Sequence, residues 1–270
     1  MAVRVEEFLA DHRGRRAIGP TTASVYRRAL LAVERVADVD RLTPVAFHRL
    51  AERRGWSQST IASYWTAVRA YSAYRFRCGL AEADPFADVR SPRRPDPNPK
   101  PVEDLDRIMA LARQLAANGR ADAVPIDEWV TLAAYAGLRT CEIVRVRREH
   151  LRKEPRGWVL DVPQGKAGTN ASIPAHPEVV KLVQRKERGL LYPGYGPTNV
   201  QSAGRRLMRK AGLQGGLHRL RHSYATWIYQ ATGDPFRTQR LCRHRSLNST
   251  LAYARVADKT LHDAIEGLYA

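Results

Sequence analysis

Apolar positions along the first ninety residues recur every three or four places, the period of a helix with one buried face. Val5 to His12 forms a short amphipathic opening. Val25, Tyr26, Ala29, Leu30, Val33 and Val36 then mark a second helix, with Thr21 or Thr22 as its cap. Thr43-Pro44 is an N-cap followed by proline at the first helical position, where the missing N–H costs nothing, and predicts a helix through Arg53. A longer helix begins at Ser57 or Ser59, carries Ile61, Trp65, Val68 and Tyr71 inside, and ends just before Gly79.

The period is interrupted at residues 92–101, PRRPDPNPKP. Five prolines in ten positions exclude helix and central strand and predict an extended, semi-rigid tether. Beyond it helical spacing returns in Leu105–Ala116 and Trp129–Tyr135, then again in Val179–Arg188, Thr198–Ala211 and Leu220–Ala231. One strand pair is expected between them, Gly157–Val162 and Asn170–Pro174, joined by the hairpin tip Gly165-Lys166-Ala167-Gly168. Leu261, Ile265 and Leu268 share one face near the C-terminus. The expected organisation is therefore a helical domain over 1–91, a linker over 92–101, and a mostly helical domain with a small antiparallel sheet over 102–270.

Charge adds what the pattern lacks. The chain of 270 residues carries 45 Lys and Arg against 27 Asp and Glu, a formal net charge of +18. Arg outnumbers Lys 38 to 7, which compositional bias explains; bias does not explain the excess of base over acid. A field of that sign favours a polyanion, and duplex DNA is the expected partner. Between Glu187 and Asp258 the only carboxylate is Asp234, so this stretch reads as the wall of a phosphate-binding groove, with Arg205, Arg206, Arg209 and Lys210 on one helix. Arg27, Arg28 and Arg69, with Arg35, Arg53, Arg54 and Arg75, are expected on polar faces of the first domain. Cys78, Cys141 and Cys242 lack metal-ligand spacing and are expected as reduced core residues. No signal peptide and no membrane-spanning run is legible, which places the expected protein in the cytoplasm, at the nucleoid.

The chemistry-bearing residues are few. His218 and Arg221, in His218-Arg219-Leu220-Arg221-His222, lie three apart on one helical face and can address one small anion. His244 and, nine residues on, Tyr253 supply another donor and a nucleophile; Arg139, in Gly137-Leu138-Arg139-Thr140-Cys141-Glu142, supplies a second guanidinium. Two Arg, two His and a Tyr suit attack on a phosphodiester. His222 is expected packed and satisfied beneath the site.

These motifs, with Gly165-Lys166 between them, resemble in order and spacing the tyrosine recombinase (phage integrase) family, and the resemblance spans nearly the whole chain. It implies a four-helix core-binding (SAM-like) domain followed by the catalytic domain, in a compact form without an arm-binding domain. On that resemblance Arg139 and Arg221 hold the scissile phosphate, Tyr253 attacks phosphorus, His218 takes the phenolic proton and His244 orients the phosphate. Lys166 protonates the departing 5′ oxygen and Glu142 supports an active-site cation. No metal and no other cofactor is called for, since permanently charged guanidinium forks can offset the transition-state charge. Inverted half-sites on double-stranded DNA, dimers and tetramers on DNA, and an accessory directionality factor are implied partners. Two departures stand out. Cys242-Arg243-His244 replaces the usual Leu-Gly-His, removing a glycine suited to a left-handed turn, and Arg219 sits where an acid is common. Two other readings stay open: a type IB topoisomerase relaxing DNA as a monomer, and a degenerate, non-catalytic DNA-binding protein.

Overall fold

The computed structural model describes residues 2–16, 18–96, 98–117, 124–163 and 171–257. It is mainly helical with one small sheet, and the chain divides into two compact units, Met1–Asp96 and Pro97–Ala270.

In the first unit α1 (Ala2–Arg16), α2 (Pro20–Glu34), α3 (Pro44–Arg53) and α4 (Gln58–Arg77) follow one another. The second helix starts earlier than the Thr21 or Thr22 cap predicts: Gly19 is the N-cap and Pro20 fills the first turn, where its fixed φ and absent N–H fit. Thr43 caps α3 by accepting the Ala46 amide at 3.2 Å, and Ser57, not Ser59, caps α4 by accepting the Thr60 amide at 3.3 Å. Phe8, Leu30, Phe47, Trp65, Tyr71 and Phe86 form the buried centre. Val25, despite its helical spacing, is exposed. Arg75 is not on a polar face: it is largely covered, 3.3 Å from Asp40, which also accepts the Tyr71 hydroxyl at 2.8 Å.

The second unit runs α5 (Leu105–Ala117), α6 (Ile126–Tyr135), α7 (Thr140–Ile143), then β1 (Leu151–Glu154), β2 (Gly157–Val162) and β3 (Ala171–Pro174). Five helices complete it: α8 (Pro177–Gln184), α9 (Pro197–Lys210), α10 (His218–Thr232), α11 (Pro235–Cys242) and α12 (Asn248–Ala257). The sheet has three antiparallel strands where the sequence predicts two. The extra one, Leu-Arg-Lys-Glu, buries only Leu151, too little apolar alternation to read as a strand. Leu160 pairs with both Leu151 and Ile173, a buried row across the sheet, while on the other face Asp161 accepts from Arg152 at 2.6 Å and Ser172 at 2.6 Å.

The core of this unit is built around Trp129, Leu132, Ile143, Leu160, Val183 and Leu207. The helix α9 carries Gly204 where it meets the residue before α10: a Cβ there would lie 2.7 Å from Leu217 Cγ. That close approach sets where α10, bearing His218 and Arg221, begins. Of the cysteines only Cys242 is buried; Cys78 is exposed and Cys141 half-buried, so the expected core placement holds for one of three. The hairpin tip with Lys166 and the segment bearing Leu261, Ile265 and Leu268 lie outside the described residues.

Candidate active site

Four short stretches converge at the start of α10. The first is the turn before α7. Gly137 adopts φ +58°, and a Cβ on it would sit 2.4 Å from the Tyr224 ring, so both backbone and packing require glycine. The turn delivers Arg139 as the N-cap of α7. Three residues on, Glu142 reaches back: its carboxylate accepts the Arg139 amide at 2.8 Å and the Arg139 guanidinium at 2.7 Å. Glu142 is buried, whereas the Arg139 side chain keeps about a third of its surface.

The second is α10 itself. Arg221 is fully buried, its guanidinium donating to the carbonyls of Gly137 and Cys242, which turns the fork toward the end of α11. His218, one turn earlier, lies on the cavity edge, and its ring meets His222 edge-on at 4.6 Å.

The third is the turn after α11. Arg243 adopts φ 55° and ψ 44°, the left-handed conformation, and among the described residues it is the one non-glycine with positive φ. The turn that the missing glycine put in question is therefore made, with the same left-handed geometry, by an arginine. Its carbonyl accepts from Arg139 at 3.3 Å, and the next residue, His244, is held by Thr250 Oγ1 at 2.9 Å from its Nδ1.

The fourth is α12, packed on α10 and α11. Tyr253 is buried at 4% exposure, its ring stacked on His244 with centroids 5.7 Å apart. Its hydroxyl lies 2.7 Å from Nδ1 of His222. His222 is thus not beneath the site but in its lining, against the Tyr253 phenol. The sequence signal for this existed: residues 218 and 222 are one turn apart and share a helical face.

Arg139, His218, Arg221, His222, His244 and Tyr253 line one cavity of about 410 Å³, together with Asn98 and Pro99. Of the six catalytic candidates, five are brought together there; the sixth, Lys166, is outside the described residues. Arg219, in place of the usual acid, points away and donates to the carbonyls of Pro101 at 3.0 Å and Gln214 at 3.3 Å. Among the described residues no cluster of His, Cys, Asp and Glu could hold a metal ion. Arg205 borders the Arg139 and His218 side of the site. Arg209 and Lys210 are exposed and Arg206 is half-buried. In the first unit Arg28 is exposed, Arg27 is paired with Glu6 at 2.5 Å, and Arg69 donates to the Ala87 carbonyl at 2.9 Å.

Electrostatics separate these groups. Burial, then the positive charge of Arg221, Arg139 and Arg243, pushes His244 down to about 3. Burial and neighbouring His218 and Arg221 push His222 down to about 4. His218 keeps some solvent, yet the surrounding protein and the guanidiniums of Arg221 and Arg139 also lower it. All three imidazoles are neutral at pH 7 and able to accept a proton. Burial raises the Tyr253 phenol to about 12, against the pull of Arg221 and Arg139. Burial opposes ionisation of Glu142, but Arg243, the Arg139 amide, Arg139 and Arg221 outweigh it and keep the carboxyl below its ordinary value. Burial and the two other guanidiniums lower Arg221 to about 10, still protonated at pH 7.

Comparison with known proteins agrees with this architecture. Residues 101–260 match the model of the phage integrase family. Tyrosine recombinase XerC of Alcanivorax borkumensis is 25% identical over 98% of this chain and 93% of its own length. Its counterpart in Neisseria gonorrhoeae is 30% identical over 81% of this chain and 75% of its own. Among solved structures, the XerH site-specific recombinase bound to palindromic difH superposes with a TM-score of 0.69, at 17% identity, over 100% of this chain and 85% of that one. A lambda integrase dimer bound to a COC′ core site gives 0.69 at 15% identity, covering 94% of each. These two share the fold. The chain belongs to the phage integrase family and is a tyrosine recombinase.

Proposed function

We propose that the cavity at the start of α10 is where this site-specific DNA recombinase cuts and rejoins strands, with Tyr253 as the nucleophile. The observation that carries the reading is the convergence of two guanidiniums, three neutral imidazoles and a phenol on one cavity of about 410 Å³. Arg139 and Arg221 bind the non-bridging oxygens of the scissile phosphate and offset the charge of the five-coordinate transition state. A phenol near 12 needs its proton removed as it attacks. His222 already touches the hydroxyl and His218 lies against His222, so the proton leaves Tyr253 Oη for this pair. The Tyr253 oxygen bonds to phosphorus, the bond to the 5′ oxygen breaks, and Lys166 supplies that oxygen with a proton. His244, fixed by Thr250, orients the phosphate. The phosphotyrosine keeps the energy of the diester, so rejoining by the 5′ hydroxyl of another strand needs no nucleotide triphosphate.

Duplex core sites with inverted half-sites are the proposed substrate, bound by two protomers and recombined through a four-protomer Holliday junction. An accessory factor setting direction, and residence in the cytoplasm at the nucleoid, belong to the same proposal. The first domain grips DNA with Arg27, Arg28 and Arg69 and the second with Arg205, Arg206, Arg209 and Lys210. Domain limits of 1–91 and 102–270 with a tether between are proposed on the same basis. XerC relatives that span over nine-tenths of the chain favour recombination over monomeric relaxation, and retention of every described chemical group speaks against a binding-only protein.

A test uses DNA fragments from the protein's source genome, nicked so that cleavage traps the attached strand. Wild-type protein is expected to form a covalent adduct, and Tyr253→Phe to form none while binding duplex with unchanged affinity. A covalent adduct with the Phe variant would move the nucleophile elsewhere.

A further inference from the structure

Arg243 is the residue in this region that the proposed chemistry does not use, and its surroundings are unusual. It stands in a left-handed turn that disfavours any side chain with a Cβ, so its presence there costs stability that glycine would not. Its side chain has no exposed surface, and the Nε has no hydrogen-bond partner among the described residues. The Nη atoms are fully engaged. Nη1 donates to the carbonyls of Ala136 at 3.2 Å and Leu241 at 2.9 Å, and Nη2 donates to Gly137 at 2.8 Å and to the Glu142 carboxylate at 3.1 Å. The same Gly137 carbonyl accepts from Arg221, and the Arg243 carbonyl accepts from Arg139. One side chain therefore ties the turn before Arg139, the turn before His244 and the carboxylate between them.

We propose that Arg243 is a positioning residue that neutralises Glu142 from behind, so that Arg139 and Arg221 meet the scissile phosphate with their charge unspent. The inference rests on the site assignment above and deepens it. Glu142 has three guanidiniums around it, those of Arg139, Arg221 and Arg243, and its charge also acts on the His218 imidazole. Arg139 is the only one of the three that keeps an open face; its Nη1 is held by Glu142. Without Arg243 the carboxylate would draw its whole neutralisation from the two cations that bind the phosphate. A phosphodiester in the ground state bears one negative charge and the five-coordinate transition state bears two. The added guanidinium therefore contributes most when the second charge forms, which makes its effect one on cleavage more than on DNA binding. The rigid fork matters as well, because it spans three carbonyls and a carboxylate that an ammonium cannot reach together.

Arg243→Gly separates this role from a purely structural one, since glycine suits the left-handed turn and leaves a guanidinium-shaped vacancy. The substrate is the set of nicked genomic fragments that wild-type protein captures covalently. Arg243→Gly is expected to bind them within a few-fold of wild type while forming adduct at least about tenfold more slowly. Guanidinium chloride, well below denaturing concentration, is expected to restore part of that rate in the variant and none in wild type. Should Arg243→Gly fail to fold, Arg243→Lys carries the test, with wild-type binding and several-fold slower cleavage expected. Cleavage at the wild-type rate in the folded variant overturns the proposal. So does equal loss of binding, melting temperature and cleavage with no response to guanidinium. If wild-type protein forms no adduct at all, it is the site assignment that falls.

Discussion

Individual side chains in the cavity are tuned by what surrounds them, and the three histidines show this most clearly. Sequence spacing places His218 and Arg221 on one face, but it does not indicate which imidazole meets the phenol. That depends on how α12 lies on α10, a long-range packing outcome, and it selects His222. Likewise Glu142 is legible as a partner of Arg139 from its spacing, whereas its contact with Arg243, a hundred residues away in the chain, is not. The lowered histidines make a pH prediction. An unperturbed imidazole titrates at 6.5, while His222 and His244 in the fold titrate at about 4 and about 3. Between these values the unfolded chain binds more protons, so folded-state stability falls as pH drops below about 6.5. The melting temperature is expected to decline from pH 7.5 to pH 5, and His222→Gln should lessen the decline. A melting temperature that stays level over this range would contradict the buried, neutral state of these rings.

At the scale of elements, helices with strong apolar period and local caps were legible, because the forces that define them act within a few residues. The helix α3, with Thr43 and Pro44, begins where its cap predicts. The helix α6 starts one turn earlier than its apolar spacing predicts, at Ile126, which is buried in the core of the second unit. Strand β1 is not legible in the sequence because its order comes from pairing with β2 and not from its own apolar pattern. Gly137 marks another such long-range constraint. Its φ of +58° and the Tyr224 ring 2.4 Å from a built Cβ both penalise substitution. Gly137→Ala is expected to destabilise the second unit by about 3 kcal/mol, combining left-handed strain with overpacking. Gly233, with φ +60° and open space around it, gives the matched control, where Ala should cost about 1 kcal/mol. Urea unfolding midpoints distinguish the two, and equal shifts would mean that Tyr224 yields without cost.

At the scale of the whole molecule, a net charge of +18 favours a polyanionic partner, and each of the two units has a hydrophobic core of its own. The cut between units after Asp96 falls inside the proline-rich decapeptide, where the sequence permits no helix and no buried strand. No described helix is long and apolar enough to cross a membrane. Charge and motif order made the family legible in the sequence, since both are written in residue identity. Contact between copies of the chain is not written that way, because it depends on surfaces formed only after folding.

The measurement that tests the central claim most directly is the chemical identity of the protein–DNA link. Covalent complexes trapped on nicked genomic DNA can be digested with nuclease and protease and the modified peptide identified by mass spectrometry. The predicted result is a nucleotide joined through its 3′ phosphate to the oxygen of Tyr253, with a free hydroxyl on the opposing 5′ end. A link to any other residue, or through a 5′ phosphate, would contradict the account.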